Sequence, residues 1–73
     1  MQEIEIHTEF IKLQQVLKLA GLIGQGSDVK AFLADGLVYV NGEVALERGK
    51  KIRPNDVVEV KGFEAIKVVC SEG

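Results

Sequence analysis

Much that would mark a catalyst, a crosslinked scaffold or a membrane span is missing from this chain of 73 residues. Cys70 is its single cysteine, so no intrachain disulfide can form, which fits a reducing compartment. His7 is the single imidazole, and it lies at the opposite end of the chain from Cys70, in another strand-like segment. Nothing supplies a third residue to orient them. No enzyme is therefore expected, and no metal site, cofactor or small-molecule substrate, since each needs more ligands or acid-base groups than these. Apolar runs reach only a few residues, far short of a membrane span, and the acidic opening MQEIEIHTE is unlike a secretory signal. A cytoplasmic protein is expected. Tryptophan is absent, and the aromatic residues are Phe10, Phe32, Tyr39 and Phe63, too few for an extended platform of stacked rings.

What remains is an ordinary globular composition, 47% apolar and 27% charged, in a length suited to one domain over residues 1–73. Its charge is unevenly placed. From Arg48 to Arg53 four of six residues are cationic and none is acidic, a cluster of +4 in a chain of net charge -2, so the remainder carries -6. Such separation focuses positive potential on one site while discouraging adhesion to every polyanion.

Alternation of charge and isoleucine over Glu3 to His7 indicates a short edge strand. The period then changes. Leu13, Val16, Leu17 and Ala20 stand at i, i+3, i+4 and i+7, the stripe of a helix that Gly21 stops. Gly24-Gln25-Gly26 reads as a connector, and Ser27 with Asp28 as the opening of a second helix to Asp35, with Val29, Phe32 and Leu33 as its apolar stripe and Gly36 beyond its end. Leu37 to Val40 is branched and aromatic, and Asn41-Gly42 is a strong two-residue hairpin signal, so Glu43 to Leu46 should return antiparallel. After the basic bend, Pro54-Asn55-Asp56 turns the chain into a strand over Val57 to Val60; Lys61-Gly62 turns it again into a last one over Ala65 to Val69. The expected fold is α+β, two short helices packed on a small, mostly antiparallel sheet.

Arg48, Lys50, Lys51 and Arg53 repel one another in a short turn, which points to phosphate contact, although a solvated loop is the alternative. At the second helix, free backbone N–H groups around Ser27 and Asp28 suit an anion that Lys30 could clamp, unless Ser27 simply caps. Lys12 opposes the dipole of the first helix, suggestive of a ligand or of nothing more than an exposed lysine. Tyr39 could stack on a base, but packing on a hairpin neighbour accounts for it better. Two glycine patterns are rejected. Gly21 and Gly26 have P-loop spacing, but Ser27 and Asp28 replace the required lysine and hydroxyl, and Gly21-Leu22-Ile23-Gly24 has an apolar centre unlike a phosphate-clamping GXXG loop.

The order of these elements, LQQVLKLAGL, a glycine-serine connector, a helix ending in DG, LVYVNGEV, a basic bend and RPNDVVEV, resembles the RNA-binding domain named after ribosomal small-subunit protein four. The resemblance covers residues 12–60. Length and the closing GFEAIKVV are most similar to small bacterial relatives of the YaaA type. It implies a non-catalytic module that binds structured RNA, ribosomal RNA or an assembling ribosomal particle, through the two helices and the hairpin; a monomer is expected. Family positions map onto Gln25, Ser27 and Lys30, with Gln25 where arginine is common and Asp35 where a base often stands, so modest affinity is expected. With Lys12, Arg48, Lys50, Lys51 and Arg53 they form the expected RNA-binding set. A rival class, a β-grasp carrier or adaptor meeting an acidic protein, shares a similar VNGE hairpin, but carriers need a terminal Gly-Gly where this chain has Ser71-Glu72-Gly73.

Overall fold

The first helix, α1 (Leu13–Leu19), forms where the stripe of apolar residues indicates, and Leu13, Val16 and Leu17 are completely buried. A computed structural model describes residues 1–22 and 29–71. The second helix, α2 (Val29–Ala34), buries Val29 and Leu33. Both helices end alike. Gly21 and Gly36 take φ of 75° and 68°, and their N–H groups bond to Lys18 and Leu33 while Leu22 and Leu37 bond back to Leu17 and Phe32. This closure satisfies carbonyls that a helix end leaves open, and glycine reaches the left-handed conformation at little cost. The proposed Ser27 cap lies outside the described residues.

Strands β1 (Gln2–Ile6), β3 (Val38–Val40), β4 (Glu43–Val44), β6 (Val57–Val60) and β7 (Ile66–Cys70) form one sheet in the order β1-β7-β6-β3-β4. All pairings are antiparallel except β1 with β7, which run parallel from Gln2 opposite Ile66 to Ile6 opposite Cys70. The expected α+β layout is the one observed. Asn41 and Gly42, with φ of 53° and 86°, give the turn whose twist matches the flanking strands. The return strand is shorter than Glu43 to Leu46, though Ala45 still donates to the Val38 carbonyl.

Alternation sorts the sheet into two faces. Ile4, Ile6, Val38, Val40, Val58, Val60, Ile66 and Val68 are buried in the same core as α1 and α2. Glu3, Glu5, Tyr39 and Glu59 are exposed on the other side. Each fully buried aliphatic side chain contributes about 1.5–3 kcal/mol, so this continuous layer carries the fold without crosslinks.

A second, two-residue ladder was not foreseen: β2 (Ile11–Lys12) pairs antiparallel with β5 (Lys51–Ile52). The basic bend is therefore partly strand. Ile52, completely buried, anchors it from within, and Ile11 opposite packs against the core.

Candidate nucleic-acid interface

Burial of Ile52 and the alternation of the ladder turn its neighbours outward, so Lys51 and Arg53 are both exposed. Lys12 is the residue directly opposite Lys51. Side chains at facing positions of a ladder share one face, and like charges so placed are destabilising. The lysines therefore oppose each other with no carboxylate between them: among the described residues the ion pair found is that of the Met1 amino group with Glu64, 2.8 Å apart. Lys51 finds support elsewhere, its Nζ 4.8 Å from the centre of the Phe10 ring.

The bend also reaches α1 through its backbone. Lys12 makes no side-chain cap; instead the N–H of Leu13 donates to the Lys50 carbonyl at 2.9 Å and that of Gln14 to the Arg48 carbonyl at 3.0 Å. The first turn of the helix is thus closed by the bend itself, which fixes Arg48 and Lys50 beside Lys12. Across from it, Lys30, Leu33 and Ala34 on one face of α2 and Leu46 to Gly49 on the bend line a groove of about 480 Å³. Lys30 and Arg48 stand on its opposite sides. A second hollow, of about 590 Å³, adjoins the first at Glu47 and Gly49 and is lined by Lys50, Lys51 and Arg53 together with the acidic residues Glu43 and Asp56.

The described members of the expected set, Lys12, Lys30, Arg48, Lys50, Lys51 and Arg53, are thus all exposed and gathered around one ladder and two adjoining hollows. Gln25 and Ser27 lie outside the described residues. Across residues 4–69 the chain matches the family model of the S4 domain. It belongs to the S4 domain family. The chain is also similar to the "Probable ribosome maturation protein RlbA" of Bacillus subtilis (strain 168), 47% identical over 66 residues that cover 90% of this chain and 93% of the relative.

In this S4 domain the turn within LVYVNGEV and the corner within RPNDVVEV are halves of one clasp. The Asn41 side-chain amide donates to Asp56 Oδ1 at 3.0 Å while its oxygen accepts from the Val57 N–H at 2.9 Å. Asp56 Oδ2 in turn accepts from the Arg53 N–H at 2.8 Å. Hairpin turn and basic corner are held together, and β7 joins them: the Asn55 N–H donates to the Val68 carbonyl and the Val68 N–H to that of Asp56. The sequence marks Asn41 and Asp56 as turn formers but gives no sign that the two turns bond to each other, fifteen residues apart. Phe10 and Glu47 were also missed, and nothing local marks either.

Tyr39 lies opposite Val44, its hairpin neighbour, on the outward face of the sheet. Cys70 is exposed opposite Ile6, one residue from His7. Among the described residues no three potential metal ligands gather, and no helix is long and apolar enough to cross a membrane.

Proposed function

We propose that residues 1–73 act as one RNA-binding domain that grips the phosphates of structured RNA through Lys12, Lys30, Arg48, Lys50, Lys51 and Arg53, together with Gln25 and Ser27. The observation that carries this reading is the facing pair Lys12 and Lys51, exposed and without a carboxylate partner among the described residues. Two cations held in register against their own repulsion are stabilised by an external polyanion, and a phosphate chain is the polyanion that S4 membership and the basic corner favour. The name of the Bacillus relative directs the choice of RNA to the ribosome, either ribosomal RNA or an assembling particle. In this reading the protein is a cytoplasmic monomer and binds without chemistry.

The test replaces Lys50, Lys51 and Arg53 together by alanine and titrates ribosomal RNA fragments by fluorescence anisotropy at several salt concentrations. The four cations of the bend, neutralising about four phosphates along an unpaired stretch of the folded RNA, give a log-log salt slope of about -3, equivalent to a loss of roughly fiftyfold between 50 and 200 mM. Binding should vanish in the variant while the melting temperature stays nearly constant, because all three side chains are exposed. A flat salt response, or binding retained by the variant, rejects the reading.

A further inference from the structure

The groove between α2 and the bend is ill suited to phosphate alone. Lys30 and Arg48 flank it, but Glu47 lines it as well, and no ion pair engages that carboxylate among the described residues. A carboxylate beside a bound phosphate repels it, so a groove evolved only to hold phosphates gains nothing from Glu47. The same lining is partly apolar: Leu33 is buried beneath it, Ala34 is exposed, and Leu46 is 71% exposed next to the cationic groups. Cations for a phosphate, an aliphatic surface for a ring face and an acceptor pair for amino hydrogens are the three needs of one nucleotide.

Resting on the RNA-binding reading above, we infer that this groove takes an unpaired guanine nucleotide, with Glu47 as the residue that selects the base. The selection follows from hydrogen-bond inventories. An ionised carboxylate offers two acceptor oxygens and no donor. Guanine's Watson–Crick edge presents two adjacent donors, N1–H and the exocyclic amino group, so both oxygens are satisfied. Adenine and cytosine present one amino group beside a ring nitrogen that is an acceptor and opposes the second oxygen. Uracil presents one N–H flanked by two carbonyls. Only a base outside a duplex exposes that edge, so the ligand is a bulged or looped nucleotide within folded RNA. Lys30 and Arg48 hold its phosphates, and Leu46 and Ala34 meet its ring. A volume of about 480 Å³ lies in the range of small-molecule sites, about 300–1,000 Å³.

Five RNA hairpins test this, four with a single bulged G, A, C or U and a fifth fully paired. Anisotropy titrations of the native protein should show the bulged-G hairpin bound roughly tenfold or more tightly than the others, the discrimination given by a good bidentate contact. The substitution Glu47→Gln replaces one acceptor by a donor and should erase that preference. Binding of the fully paired hairpin should persist or strengthen, since one negative charge is gone. Circular dichroism should show both proteins folded. Equal binding of all five hairpins with a steep salt slope would overturn the guanine site and leave the phosphate reading standing. A G preference that survives Glu47→Gln would also overturn it. Absence of binding to every hairpin at low salt would overturn both.

Discussion

Exchange of Lys12 for glutamate should move stability and RNA affinity in opposite directions. Lys12 faces Lys51 across β2 and β5 and occupies the N-cap position of α1 with no side-chain cap of its own. Glutamate turns a like-charge pair into an attractive one, worth about 0.2–1 kcal/mol across a ladder. It also places a negative charge at the positive end of the helix, where exposed sites gain about 0.3–1 kcal/mol. Discounted for solvent exposure, the two together stabilise by about 1 kcal/mol, or roughly 4–8 °C in Tm for a domain of this size. Toward RNA, one cation is lost and one anion added, so the salt slope should become shallower by about 1.4, or roughly 25-fold weaker binding at 0.1 M salt if the two lines converge at 1 M. Thermal unfolding followed by circular dichroism and anisotropy titrations on ribosomal RNA fragments read the two effects. A fall in Tm would show that the lysines are not opposed as the ladder requires. Unchanged RNA affinity would remove Lys12 from the interface.

Loss of the clasp should be felt in stability first. Asp56→Ala frees the Arg53 N–H and the Asn41 amide together, costing about 1–2 kcal/mol, visible as a lower urea midpoint with an unaltered slope. A midpoint equal to that of the native protein would mean these bonds contribute nothing net. Gly36→Ala meets no atom within 4 Å of the new methyl group, so its cost is that of the backbone at φ of 68°, about 1 kcal/mol. An alanine variant as stable as the native protein in thermal melts would contradict the left-handed helix end.

Local pattern revealed what local forces decide. The stripe at Leu13, Val16 and Leu17, the glycines that end both helices, the Asn41-Gly42 turn and the Val57–Val60 strand all follow from neighbours within a few residues, and each is where the sequence places it. The parallel pairing of β1 with β7 joins residues more than sixty positions apart and leaves no local mark. The ladder of β2 with β5 is too short for any periodicity to register. Its one trace is Ile52, an apolar residue within a basic run, which makes sense only if that run is anchored inward. At the candidate site the cations were legible as a cluster, because charge is local in sequence. Their gathering with Lys12 and Lys30 was not, since it depends on where the bend docks on α1 and how close α2 comes. The groove's mixed lining is likewise a product of packing.

The position of β7 between β1 and β6 has a bearing on how the molecule is made. During synthesis the first strand emerges early and must wait, with no partner on either side, until Cys70 has cleared the translating machinery. The Pro54 to Asp56 corner waits too, because its hold on Val68 forms only then. A nascent chain therefore cannot complete its sheet until β7 slots between β1 and β6, so closure of the five-stranded layer is among the last events of folding.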